Sequence, residues 1–157
     1  MVLSKWSEDE RIVVLSGAGL SSASGVPTFR EADGLWERHR LEDVATPEAW
    51  LRDRDLVRCF YDARREAVAR VQPNPGHHAL VRLQTALGPA RVMLVTQNID
   101  GLLGRAGAPD VIELHGSLGL LRCEWDESHP HLAISGPQPP EARCTHCGAP
   151  LRPAVVW

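Results

Sequence analysis

The stretch Val13-Val14-Leu15-Ser16-Gly17-Ala18-Gly19-Leu20-Ser21-Ser22-Ala23-Ser24-Gly25-Val26-Pro27-Thr28-Phe29-Arg30 decides the fold. It opens as a short β-branched strand and breaks at Ser16 into two glycines separated by Ala18. Glycines just past a strand let the backbone approach a ligand closely, and their N–H groups can cradle a pyrophosphate. The dinucleotide fingerprint would put a third glycine at position 22, where this chain has Ser22, so Gly17-Ala18-Gly19 alone reads more readily as a tight strand-to-helix turn. A bare turn, however, does not call for Pro27, Phe29 and Arg30 beyond it.

Working outward, Arg11 to Leu15 reads as a buried parallel strand. Thr46-Pro47 is a helix start, with proline at the first helical position. From Asp55 to Val71, Leu56, Val57, Phe60, Ala63, Ala67, Val68 and Val71 recur at three- and four-residue spacing, which predicts an amphipathic helix stopped before Pro73. Asn74-Pro75-Gly76 caps a second helix through Leu87, ended by Gly88-Pro89. Arg91 to Thr96 is another buried strand, and Val111 to Leu114 a third. Strands alternating with helices imply an α/β fold with a parallel sheet and ligands at the carboxyl ends of its strands. Gly17, Gln97 and His115 each follow such a strand and are expected to converge on one crevice. Residues 135–140, rich in proline, read as a loop, and there is no internal repeat.

The 157 residues suffice for one domain with a real core, or one domain with a small satellite. A net charge of −3 without a dense Lys/Arg run argues against a nucleic-acid partner. Residues 1–6 lack a hydrophobic signal core, and no apolar run approaches a membrane span. The four cysteines suit metal binding in a reducing compartment better than disulfides, so a cytoplasmic location is expected.

The long glycine-to-arginine string resembles the sirtuins, the NAD-dependent protein-lysine deacylases, whose pattern is G-A-G-x-S followed by S-G-[IV]-P-x-F-R. Two more blocks match in the same order, Thr96-Gln97-Asn98-Ile99-Asp100-Gly101-Leu102 and Glu113-Leu114-His115-Gly116-Ser117. Leu151-Arg152-Pro153-Ala154-Val155-Val156-Trp157 is similar to the family segment after its zinc module. The resemblance implies NAD as cofactor, acylated lysine side chains of proteins as partners and no membrane. It implies a Rossmann-like parallel sheet, present here in its N-terminal part, with a helical insertion and a small zinc-ribbon-like module. It places the catalytic base at His115, a residue type whose ordinary pKa of about 6.5 suits activation of a ribose hydroxyl. Asn98 and Asp100 would hold the ribose-side water and the nicotinamide amide. Gln97 would bond the nicotinamide ribose, Phe29 shield the reactive face and Arg30 approach the phosphates. Gly17, Ala18, Gly19, Ser21, Trp36 and Ile99 complete the implied NAD contacts. By composition alone, Asn98 to Asp100 is also a helix cap after a strand, and His39, His77 and His78 are packed or surface histidines.

Tyr61 and Arg64 stand three apart on the helix from Asp55, hence on one face. A tyrosine and an arginine at this spacing resemble the sirtuin branch that removes malonyl, succinyl and glutaryl groups, as do Thr28 and Ala45-Thr46-Pro47-Glu48-Ala49. A guanidinium forks onto a carboxylate, and a phenol adds a hydrogen bond. Relatives with this pair also keep deacetylase activity, so the resemblance implies dual use.

Cys144-Thr145-His146-Cys147-Gly148 has the form of a zinc knuckle. The family supplies an upstream C-x-x-C, but here Cys123-Glu124-Trp125-Asp126 carries aspartate at the second position. Cys123, Cys144 and Cys147 are the expected ligands of one structural zinc, with Asp126 as fourth and His129 or His131 as other choices. Alternatively the site is degenerate and Trp125 packing holds the module. Cys59 is expected in the helix core.

The resulting division is residues 1–120 for the first part of the NAD domain, with an insertion about 42–88, residues 121–152 for the zinc module, and 153–157 for the return. Sirtuins continue past the segment that ends this chain at Trp157, so the chain is expected to be an incomplete enzyme that binds NAD poorly in isolation. Other readings are a non-catalytic remnant or interaction module, and a mono-ADP-ribosyltransferase using the same NAD chemistry.

Overall fold

A computed structural model describes residues 10–27, the backbone of 35–36, and 39–157. Three parallel strands form the first sheet: β1 (Ile12–Ser16), β4 (Val92–Thr96) and β5 (Ile112–Glu113), with β4 in the centre. The β1–β4 register runs from Ile12 opposite Val92 to Ser16 opposite Thr96, and Thr96 pairs onward with Glu113. All three strands therefore end at one level. Gly17, Gln97 and His115 are brought there by the ladder itself.

Between β1 and β4 the chain is helical. After α1 (Gly19–Ser22), the short pair β2 (Leu35–Trp36) and β3 (His39–Arg40) leads into α2 (Leu41–Val44), α3 (Pro47–Arg52), α4 (Arg54–Ala69) and α5 (Pro75–Leu87). Local chemistry explains the starts. The Thr46 hydroxyl accepts from Ala49 N–H at 3.0 Å, with Pro47 in the first turn of α3. Asn74 and His77 form a reciprocal capping box at α5, where the Asn74 side chain accepts from Gly76 N–H at 2.8 Å and its own N–H donates to His77 Nδ1 at 3.2 Å.

The sheet buries one face. Val92 and Leu94 pack with Leu103, Leu80 and Leu83, which belong to α5 and α6 (Leu102–Arg105). Each such side chain contributes about 1.5–3 kcal/mol on full burial. The opposite face carries Val13 and Leu15, each 63% exposed, and Met93, 44% exposed. The strands expected to be buried thus cover a single side among the described residues, because alternate side chains point away from the helical layer.

A second sheet is antiparallel, with β6 (Gly116–Cys123) between β7 (Leu132–Ala133) and β8 (Leu151–Val155). β6 starts beside His115 and ends at Cys123, so one strand joins the crevice to the cysteine-bearing loops. Leu118 and Val155 of this sheet pack with Val57, Phe60, Tyr61 and Val68 of α4, and with Trp50, to form the main core. Arg65 ties the two layers together: it pairs with Asp62, donates to the Leu118 carbonyl at 3.3 Å and donates to the Gly136 carbonyl at 3.1 Å. The loop at 135–140 is correspondingly pinned, with Gln138 N–H on Asp62 at 3.0 Å and its side-chain amide donating to the Leu151 carbonyl at 2.7 Å. Two expectations fail here. Cys59 is exposed rather than in the core, lying about half a turn past Val57 on the outer face of α4. Trp125 is 72% exposed and does not hold the module by packing.

Candidate active site and metal centre

A cavity of about 420 Å³ opens at the carboxyl ends of β1, β4 and β5. Ala18, Gln97, Asn98, Ile99, Asp100 and His115 line it on the sheet side. Tyr61 and Arg64 line it from α4, and Trp157 closes it after β8. Residues dispersed over more than one hundred positions meet because each follows the end of a strand or faces inward from α4. Phe29 and Arg30 lie outside the described residues, as does the side chain of Trp36.

His115 reaches the rim through a backbone-anchored ring. Its Nδ1 lies 3.0 Å from the Gln97 carbonyl oxygen. A carbonyl only accepts, so Nδ1 carries the hydrogen and the lone pair of the neutral ring sits on Nε2. The carbonyl of His115 accepts in turn from Val156 N–H at 3.0 Å, and Gly116 follows with φ +77°.

Ser21 is fully buried and organises the floor. Its hydroxyl donates to Asp100 Oδ2 at 2.7 Å and accepts from Asn98 Nδ2 at 3.1 Å. His77 Nε2 stands 3.5 Å away on the same oxygen. Since Asn74 N–H donates to Nδ1, the His77 hydrogen belongs on Nε2, and one hydroxyl then uses its donor and both acceptor positions. Asn98 also donates to the Gly17 carbonyl at 3.1 Å, and Asp100 Oδ1 caps Leu102 N–H at 2.9 Å. Asp100 therefore caps a helix and faces the cavity at once, while Asn98 lines the cavity beside it. Burial lowers the His77 pKa below its usual 6.5, Asp100 opposing and His78 adding. Sequence reasoning grouped His77 with ordinary packed histidines. The available signal was its place three residues after Asn74 in a capping box.

On the other wall, Tyr61 is 1% exposed and Arg64 6% exposed. The Tyr61 hydroxyl accepts from Trp157 Nε1 at 2.9 Å, and the Arg64 guanidinium lies 5.8 Å from the Phe60 ring. Burial raises the Tyr61 pKa against the opposing effects of the Trp157 bond, Arg64 and Arg152, so the phenol keeps its proton at neutral pH.

The cysteines gather elsewhere. Ligand atoms of Cys123, Cys144, Cys147 and His129 all lie within 4.8 Å of one another. Cys123 and Cys147 sulfurs are 3.6 Å apart, and His129 Nδ1 is 3.4 Å from Cys144 Sγ. Tetrahedral zinc with bonds of about 2.3 Å spaces its sulfurs at roughly 3.8 Å, so the set fits that ion. Desolvation opposes ionisation of Cys123, yet hydrogen bonds from His129, from Asp126 and Trp125 N–H groups and from Cys147 bring its thiol down to about 6. A His146 N–H bond leads the interactions that lower Cys144. Thiolates are the form that binds metal. Asp126 is not one of the four: its Oδ1 is engaged by Ser128 N–H at 2.9 Å and Ser128 Oγ at 2.7 Å. Of the fourth donors weighed beside the three cysteines, the structure gathers His129 with the sulfurs, because the turn at 126–128 carries it over them.

A protein-family model, "Sir2 family", matches residues 17–157. The chain belongs to the Sir2 family. An "NAD-dependent protein deacylase" of Escherichia coli (strain K12) is 53% identical over 154 residues, covering 96% of this chain and 54% of that protein. A solved Sir2 homolog–NAD complex superposes with TM-score 0.79 at 41% identity, covering 96% of this chain and 58% of the other. A Sir2 in complex with an inhibitor, 2'-O-acetyl-ADP-ribose and a deacetylated peptide gives 0.68 at 26% identity, covering 94% and 58%. The Sir2 chain described here spans about half the length of the curated relative it matches. These likenesses carry the Rossmann-like α/β architecture with a parallel sheet.

Proposed function

We propose that this Sir2 chain carries the acyl-transfer half of an NAD-dependent protein-lysine deacylase, with residues 1–120 and 153–157 serving the NAD domain and 121–152 a zinc module. The observation that supports this is the shared cavity, whose lining brings Asn98, Asp100 and His115 together with Tyr61 and Arg64. The residues fit the nicotinamide half of NAD. Carboxamide and carboxylate groups suit a carboxamide and ribose hydroxyls, and a Cβ on Gly19 would meet nothing within 4 Å, leaving the backbone open to approach. NAD, when bound, supplies an anomeric carbon whose bond to nicotinamide is broken as the acyl oxygen attacks. Ser21 fixes Asn98 and Asp100, which orient the amide, while Gln97 holds the ring of His115 and offers its side chain to the ribose. Nε2 of His115 then takes the proton of a ribose hydroxyl.

The acyl preference follows from the α4 wall. A cation and a phenol buried in one apolar cavity favour an acyl chain ending in a carboxylate, such as succinyl or malonyl. Acetyl-lysine would still enter, since the cavity needs no charge to admit a methyl group. The protein partners are acylated lysine side chains. No helix among the described residues is long and apolar enough to cross a membrane. A reducing compartment is the reading we favour, because Cys123, Cys144 and Cys147 gather with His129 as a metal-donor set.

The test is Arg64→Met in the complete protein, assayed with succinyl- and acetyl-lysine peptides. Desuccinylation should fall at least about 100-fold, the worth of a lost charge-assisted pair, while deacetylation persists. Equal loss of both activities contradicts the acidic-acyl reading. An assay with unacylated protein as acceptor separates deacylation from ADP-ribosyl transfer.

A further inference from the structure

Asp126 stands three residues after Cys123, where a ligand was expected, yet it lies outside the cluster of four donor atoms. Its carboxylate is divided between two neighbours. Oδ1 accepts both the N–H and the hydroxyl of Ser128, at 2.9 and 2.7 Å. Oδ2 faces His129 Nε2 at 3.6 Å. The imidazole is thereby spanned, with Nδ1 toward Cys144 Sγ at 3.4 Å and Nε2 toward the carboxylate. His146 stacks on the ring at 5.1 Å with an interplanar angle of 24°, which limits its tilt. A carboxylate beside one ring nitrogen keeps the hydrogen there and leaves the lone pair on the other.

We propose that Asp126 acts outside the coordination sphere, its carboxylate set beside Nε2 of His129 at ion-pair distance so that Nδ1 is the nitrogen left to complete a Cys3His zinc site. The proposal rests on the zinc reading of the cluster and is independent of the acyl chemistry. Ser128 belongs to the same device, because it consumes the lone pairs of Oδ1 that would otherwise turn toward the metal. Carboxylates that orient a metal-bound histidine are typically worth about 10–100-fold in affinity.

The experiment compares the full chain with Asp126→Ala, Asp126→Asn and His129→Ala. Zinc content is measured, zinc is competed with a chromophoric chelator, and the d–d bands are recorded after loading with cobalt(II). The expected results are a loss beyond about 100-fold with altered bands for H129A, and a loss of about 10–100-fold with unaltered bands for D126A. D126N keeps an oxygen that accepts from Nε2–H, so it should stay closer to wild type than D126A, with the same bands. Zinc held as tightly by D126A or by H129A as by wild type, or shifted cobalt bands in D126A or D126N, overturns the proposal. A wild-type chain that takes up neither metal overturns the zinc reading itself and the proposal with it.

Discussion

Trp157 Nε1 donates a 2.9 Å hydrogen bond to the hydroxyl of Tyr61, joining the strand that leaves the cysteine module to the helix that lines the cavity. The two rings sit 6.4 Å apart, and the Arg152 guanidinium covers the indole at 4.2 Å. Burial brings the Arg152 pKa down to about 10, with Arg122 adding and Glu127, Tyr61 and Glu124 opposing. Trp157→Phe keeps an aromatic ring while removing the N–H donor and the second ring of the indole. The loss should be about 1–3 kcal/mol in denaturant unfolding. Combined with Tyr61→Phe, the double substitution should cost less than the sum of the two singles, because both partners of one buried bond are then apolar. Strict additivity would show that the contact contributes nothing.

Ser21→Ala removes one oxygen and deprives Asn98, Asp100 and His77 of a partner together. Unfolding should show a destabilisation of about 2 kcal/mol or more, above that of an ordinary lost hydrogen bond. Cysteine at the same position, with a poor acceptor, should rescue little of it.

His77 gives the fold an acid sensitivity of definite sign. Burial holds its folded pKa below 6.5, so an unfolded chain binds a proton under acid conditions that the folded chain resists. Stability from this residue is complete above pH about 6.5 and falls as the pH drops below it. His77→Gln should lower stability at pH 7.5 and flatten the decline between pH 7 and pH 5. A decline of unchanged slope would assign the acid loss to other groups.

Gly116 combines φ +77° with a close approach: a Cβ there would lie 2.0 Å from the Ala154 carbonyl oxygen. Backbone atoms cannot rotate out of the way as a side-chain tip can. Gly116→Ala should cost more than about 3 kcal/mol, from left-handed strain together with the clash, and should shift the adjacent His115. Thermal unfolding reads the first effect, and the histidine ring signals in a proton NMR titration read the second.

Much of this architecture was legible in the residues. The three- and four-residue spacing from Leu56 to Val71 and the Asn74-Pro75 cap located α4 and α5 within a residue or two, because helix starts and apolar stripes are local properties. Tyr61 and Arg64 could be placed on one face for the same reason. What escaped was non-local. Val13 and Leu15 look as apolar as Val14, and only the packing of α5 on one side of the sheet separates them. The choice among Asp126, His129 and His131 beside the three cysteines was open in the sequence, and only the Asp126–Ser128 turn brings His129 to the sulfurs. His77 gained a role from Ser21, fifty-six positions away.

The most direct measurement is acyl-peptide-dependent release of nicotinamide from NAD by the complete protein, with wild-type His115 and with His115→Ala. Release that requires the acylated lysine and a final acyl transfer that collapses at least about 100-fold without the imidazole is the predicted result. No release of nicotinamide with any acyl-lysine peptide, or acyl transfer undiminished in the variant, would contradict it.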